Sequence, residues 1–257
     1  MSFLIAITEV VALSFLFFYG ALIIIAFKQF KLKQTKLAFY YFLTCFLTFC
    51  TLFSYIGEEL VWATFQTAEN DWYRALVLLN LILRMGIYLC LYIIANTFFF
   101  RWSTWTELSF LAYSAVVVMI AIFGLYNNFG WVTLENQILN QDFSLILFSS
   151  IIPSMITLYL AYKFTNATRN INPSQFEQKR ATQLIAIGYW LYLYPFLAAP
   201  FITLLTFEFR RIIITSFILF PFITYILLYI GFYKPDWFKM RYREISWVGK
   251  QLTIDTK

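Results

Sequence analysis

This chain of 257 residues contains no histidine. Its absence excludes haem and zinc sites that depend on imidazole, a histidine phospho-acceptor and a Ser-His-Asp triad. Cysteine is scarce. Cys45, Cys50 and Cys90 have no zinc-site spacing, and all three fall inside long apolar runs, where a thiol acts as a small apolar group. Charge is scarce too: Asp, Glu, Lys and Arg make up 12% of the residues, half of the roughly 25% typical of a soluble domain. Neither a G-x-x-x-x-G-K-S/T phosphate loop nor a G-x-S-x-G nucleophile elbow occurs. The residues offer no catalytic, metal or cofactor site, so a non-enzymatic role with no cofactor is expected.

What the chain has is apolar length. Hydrophobic residues make up 61%, aromatics 22%, and the mean hydropathy is +0.72. A helix that crosses a bilayer needs about 20 mostly apolar residues. Seven such runs follow one another, at 3–27, 37–62, 73–100, 107–126, 143–164, 182–207 and 211–233. They are apolar on all sides, unlike the surface helices of a soluble bundle. They are also longer and less alternating than barrel strands, which run to about 10 residues. The expected fold is an all-α membrane protein. A seven-helix transmembrane bundle fills 1–233, and a short cytoplasmic tail fills 234–257. The expected setting is the cell membrane, crossed several times, with the lipid bilayer as first partner.

Orientation follows from lysine and arginine, which collect on the cytoplasmic side of short connections. Of the 19 Lys and Arg residues, 15 fall in the first, third and fifth connections and the tail. Arg74, Arg210 and Arg211 lie on the other side, and Arg84 lies within a run. This bias predicts an N-terminus outside and a C-terminus inside. Tryptophan prefers membrane interfaces, and all but Trp190 of the 8 tryptophans fall near predicted helix ends. The formal charge of +6 is accounted for by insertion and anionic lipid, with no call for nucleic acid.

Arg84 sits in the middle of "LLNLILRMGIYLCLY", residues 78–92. A central arginine costs roughly 2.5–3.5 kcal/mol on insertion scales, so it faces protein or water and finds a partner. Asn80 precedes it by four positions and Tyr88 follows by four, so the three share a helix face. That stripe is expected to point into the bundle and to pair Arg84 with a carboxylate. The candidates are Glu9 in the first helix and Glu58 or Glu59 in the second. Such a pair serves either to fix helix packing or to hold a ligand. A second constellation is "GYWLYLYPFLAAP", residues 188–200, with Tyr189, Trp190, Tyr192 and Tyr194. These aromatics either pack or wall a pocket for a lipid-like, amphipathic ligand, which would enter between them and the Asn80–Arg84 face.

Four prolines, Pro153, Pro195, Pro200 and Pro221, fall in the fifth to seventh runs and none in the first four. Each removes a backbone donor and favours a kink. They either shape the bundle or make its last three helices a switch. In the tail, Phe238, Tyr242, Ile245, Val248 and Leu252 recur at helical spacing behind Pro235, the pattern of an interfacial amphipathic helix. The segment "YILLYIGFYKPDWFKMRYRE", residues 225–244, resembles the end of the seven-helix sensor region of archaeal and bacterial membrane histidine kinases and their kinase-free relatives. The 24 residues after Tyr233 are too few for a kinase domain. The resemblance therefore implies a sensor or signal-transducing module whose output is a cytoplasmic partner. A small-molecule or ion transporter or channel, and a scaffold subunit of a larger complex, are the alternatives.

Overall fold

Each apolar run overlies a helix among the described residues, and several helices outlast their runs. The computed structural model describes residues 2–65, 71–96, 104–127, 132–135, 138–141, 143–172, 175–202 and 207–240. Seven α-helices lie among them: α1 Ser2–Lys33, α2 Lys36–Phe65, α3 Asp71–Ala95, α4 Thr104–Asn127, α5 Phe143–Asn170, α6 Phe176–Ile202 and α7 Phe207–Tyr233. The shortest, α4, has 24 residues. At 1.5 Å per residue that is about 36 Å, more than the roughly 30 Å of a bilayer's hydrocarbon core. Among the described residues, four stretches are both long and apolar enough to cross a membrane: Val10–Lys33, Lys36–Glu58, Asp71–Ile94 and Ser216–Tyr233.

Local chemistry sets the helix ends. Gln34 takes a left-handed conformation (φ 46°), and its N–H closes the last turn of α1 onto Phe30 O at 2.8 Å. Thr35 then caps α2, its Oγ1 accepting from Ala38 N at 3.2 Å. Lys234 (φ 45°) ends α7 in the same way, with its N–H on Ile230 O at 3.0 Å. Residues 236–240 turn helical again, with Phe238 N and Lys239 N donating to Pro235 O. The expected tail helix lies mostly beyond this turn, outside the described residues. Beyond the apolar run, α5 continues through polar residues, and its threonine hydroxyls are satisfied by the preceding turn. Thr165 Oγ1 donates to Ala161 O at 2.7 Å and Thr168 Oγ1 to Thr165 O at 2.6 Å.

One element departs from the all-helical expectation. In the α4–α5 connection, β1 (Val132–Glu135) pairs antiparallel with β2 (Ile138–Gln141), with Val132 opposite Gln141 and Glu135 opposite Ile138. Two four-residue strands are too short to stand out from a loop in sequence.

The described chain forms two compact units. The first comprises Met1–Pro153 and Phe196–Leu219, the second Ser154–Pro195 and Phe220–Lys257. This division runs through helices, whereas the sequence placed its only boundary between bundle and tail. The chain changes unit beside Pro153, beside Pro195 and just before Pro221. All three helices nevertheless continue through their prolines.

In the first unit, α2 and α3 pack antiparallel at close range. Ser54 Oγ donates to Leu76 O at 3.0 Å, and Asn80 Nδ2 donates to Thr51 O at 3.4 Å. A Cβ on Gly86 would come within 3.1 Å of Leu47, and one on Gly57 within 3.4 Å of Leu76, so glycine sets this approach. Aromatic pairs join α1 to α2, with Phe27–Phe42 at 5.3 Å and Phe30–Phe39 at 5.4 Å. Tyr92 stacks on Phe110 at 4.9 Å between α3 and α4. In the second unit, Gly231 of α7 lies on Ala181 and Ile185 of α6, and Thr224 Oγ1 donates to Gly188 O at 3.0 Å. Glu177 and Lys234 form a half-exposed ion pair at 3.5 Å.

Candidate functional site

The inner face of α3 is a seam with alternating spacings of four and three. Tyr73, Val77, Asn80, Arg84, Ile87, Leu91 and Ile94 occupy it in turn. That spacing keeps residues on one helix face, and six of these seven positions are buried. Arg84 is exposed. A long polar side chain on the outer face would be exposed for trivial reasons. Here buried residues lie before and after it on the same face, and Arg84 alone of the seven is exposed.

Arg84 lies 13 positions from Asp71, the start of α3, and 11 from Ala95, its end. It is therefore about 16 Å or more from either terminus. Tyr88, one turn on, is half-buried and meets Phe196 of α6 at 5.2 Å between ring centroids. Asn80, one turn before, is 4% exposed and bonded to α2. The stripe has unequal members: Asn80 is buried, Tyr88 half-buried and Arg84 exposed.

The expected ion pair is corrected by axial register. The α2–α3 contacts run Leu47–Gly86, Thr51–Asn80, Ser54–Leu76 and Gly57–Leu76. They set Glu58 level with the first turns of α3, about nine positions or roughly 14 Å from Arg84 along the axis. An ion pair needs about 4 Å. Glu58 is half-buried, with Oε1 shielded from solvent at that end. The side chains of Glu9 and Glu59 lie outside the described residues. Their backbone positions fall at the same end, since Phe27–Phe42 and Phe30–Phe39 run α1 antiparallel to α2. Sequence reasoning matched helix halves and neighbours but had no measure of axial offset.

The other described carboxylates are engaged elsewhere or too far away. Glu107 Oε1 accepts from Asn96 Nδ2 at 2.8 Å, Glu177 pairs with Lys234, and Asp236 with Lys239. Asp71 stands at the start of α3 itself. Among the described residues no acidic side chain forms an ion pair with Arg84.

The α6 aromatics do not form one wall. Tyr189 is 1% exposed and stacks on Phe164 of α5 at 5.5 Å, its hydroxyl buried without a hydrogen-bond partner among the described residues. The Tyr192 hydroxyl lies 3.4 Å from that of Tyr225 in α7, and the Tyr194 ring meets Phe220 at 4.6 Å. Trp190 is 46% exposed, its indole N–H donating to Thr165 Oγ1 at 3.1 Å. Three of the four are packing residues of the second unit and the fourth faces outward. Arg84 belongs to the first unit and these four aromatics to the second. Of the prolines, Pro153 is buried, Pro195 and Pro221 are half-buried, and the side chain of Pro200 lies outside the described residues.

The sequence reading missed the seam as a whole. Its signal was available in the 4-3 spacing from Tyr73 to Ile94. Phe196 was missed because nothing in sequence ties it to Tyr88. The arrangement offers a positive charge at mid-helix on an exposed side chain, one turn from Tyr88. It has no nucleophile–base pair and, among the described residues, no cluster able to hold a metal. No protein family, characterised protein or solved structure matches the chain.

Proposed function

We propose that this chain is a seven-span membrane sensor or signal-transducing module without catalytic chemistry of its own, with the N-terminus outside and the C-terminus cytoplasmic. The observation that carries the reading is Arg84, an exposed cation on an otherwise buried seam. A charge kept at mid-helix without an ion-pair partner has a cost that packing does not recover. A role in recognition accounts for it. The helices that change unit beside their prolines supply segments with weakened backbone bonding, and α7 leads directly into the basic tail. A ligand moves such segments only if it favours one of two arrangements.

An exposed arginine within a membrane helix also suits a transporter. Two measurements separate the readings. In sealed vesicles, the sensor leaves ion and solute gradients intact. Neutralising its site with Arg84→Gln alters backbone hydrogen exchange at 234–240, the start of the tail. Dissipated gradients with unchanged exchange put transport in its place. The topology is tested by single cysteines at Leu134 and Gln175 in a chain lacking its own cysteines. The first is expected to label from outside and the second only after permeabilisation. The reverse pattern overturns the orientation.

A further inference from the structure

We infer that the exposed face of the turn at 236–240, carried by Trp237 and Met240, docks on an anionic bilayer surface. The inference goes beyond the sensor reading and does not depend on Arg84. Three observations at the end of α7 and the start of α6 lead to it.

The first is level. Ser216–Tyr233, the last 18 residues of α7, is long and apolar enough to cross a membrane. Its length is about 27 Å, close to the roughly 30 Å of a hydrocarbon core. Lys234 is the first charge beyond it, and its left-handed conformation (φ 45°) ends the helix there. The next turn is closed by Phe238 N and Lys239 N on Pro235 O, at 2.9 and 3.1 Å. It therefore begins where hydrocarbon gives way to headgroups.

The second is facing. Phe238 is 3% exposed, so it holds the turn against the fold. Trp237 and Met240 are 56% and 58% exposed, and their spacing of three puts them on one side of a helical turn. The sequence pattern set Phe238 on the lipid-facing stripe. The structure turns that ring inward and presents Trp237 and Met240 in its place. Indole favours the headgroup level, where its ring meets carbon and its N–H meets water. A thioether adapts to irregular apolar surroundings.

The third is charge. The Glu177–Lys234 ion pair, at 3.5 Å, brings the start of α6 beside the turn. Phe176 is exposed there too. Residues 176–183 and 234–240 carry Lys179, Arg180, Lys234 and Lys239 against Glu177 and Asp236, an excess of two positive charges. Arg241 and Arg243 follow directly in sequence. Cations beside exposed aromatic and thioether groups complement an anionic lipid surface, which offers phosphate to the first and carbon to the second. A soluble acidic protein matches the charge as well, but the turn starts at the bilayer itself, so lipid is the surface already within reach.

The test uses the full chain, freed of its own cysteines. Met240→Cys carries a nitroxide whose apolar ring stands in for methionine. The chain is reconstituted into vesicles of phosphatidylcholine alone, or of phosphatidylcholine with phosphatidylglycerol, with a neutral nickel chelate on both sides. Collision with the chelate reports water, and collision with oxygen reports hydrocarbon. Phosphatidylglycerol is expected to lower chelate access about fivefold or more, the factor for one cation's attraction of about 1 kcal/mol, and to raise oxygen access. High salt should reverse both changes. Trp237→Ser should leave the label open to the chelate in either lipid. Equal chelate access in the two lipids overturns the inference. If access is high in both, the face is left to a soluble partner; if low in both, it docks without regard to charge. Shielding that survives high salt or Trp237→Ser also overturns it. Circular dichroism checks that the variant folds. Should Trp237→Ser unfold, the lipid and salt comparisons on the labelled chain decide alone.

Discussion

Gly231→Ala adds one methyl group at the tightest helix approach in the second unit. A Cβ built there collides with Ile185 and comes to 2.9 Å from the carbonyl oxygen of Ala181. The isoleucine side chain can rotate away, but the carbonyl belongs to the α6 backbone and can move only with the helix. Overpacking of this kind costs about 1–3 kcal/mol, and a backbone obstacle puts it near the top of that range. Separating α6 from α7 also stretches the Thr224–Gly188 hydrogen bond, now 3.0 Å, a further contribution of about 1 kcal/mol. Alanine's better helix propensity returns about 1 kcal/mol. The net loss is about 3 kcal/mol, or roughly 6–12 °C in melting temperature for a chain of this size. Gly20→Ala is the control, because nothing lies within 4 Å of a Cβ at that position. Thermal unfolding in detergent, followed by far-ultraviolet circular dichroism, measures both. Gly231→Ala melting within a degree of the unmodified chain would refute the close α6–α7 approach, as would Gly20→Ala losing as much.

Two further substitutions probe local features with the same assay. Gln34→Gly should stabilise by about 0.5–1 kcal/mol, since glycine relieves the left-handed strain at φ 46° at some cost in chain entropy; a lower melting temperature argues against that turn. Tyr189→Phe removes a buried hydroxyl that has no partner among the described residues, and should raise stability by about 1 kcal/mol; a loss instead means the hydroxyl is bonded in the folded protein.

The helices were legible because bilayer-length apolar runs have few ways to satisfy their backbone. All seven helices overlie the runs read from sequence. The ends were less legible. The polar segment from Thr165 to Asn170 reads as a loop by hydropathy, yet it is helical, with its threonine hydroxyls bonded to the backbone of the helix. The site was legible in kind, because an arginine amid leucines stands out in any sequence. Its partner was not. Sequence spacing gives the face of a helix, but axial register between helices depends on close contacts such as Gly86 on Leu47, which no periodicity reveals. Whether the α6 aromatics pack or wall a pocket was left open in sequence for a related reason. Adjacent residues on a helix point about 100° apart, so Tyr189 and Trp190 meet different surroundings: a stacked phenylalanine for one, open surface for the other.

Arg84 and Gly231 represent opposite uses of a membrane helix. At Gly231 everything is spent on approach: the absent side chain lets two backbones close up, and the neighbouring Thr224 hydroxyl finds a carbonyl across the gap. At Arg84 the seam does the reverse. It keeps a long cationic side chain exposed between buried positions of the same face. A structural ion pair would justify that choice if a carboxylate stood level with it, but the α2–α3 contacts hold Glu58 at the far end of the helix pair. About 16 Å or more of helix lies between Arg84 and either end of α3. The glycine contacts thus hold helices together, while the α3 seam carries a cation that no described carboxylate pairs.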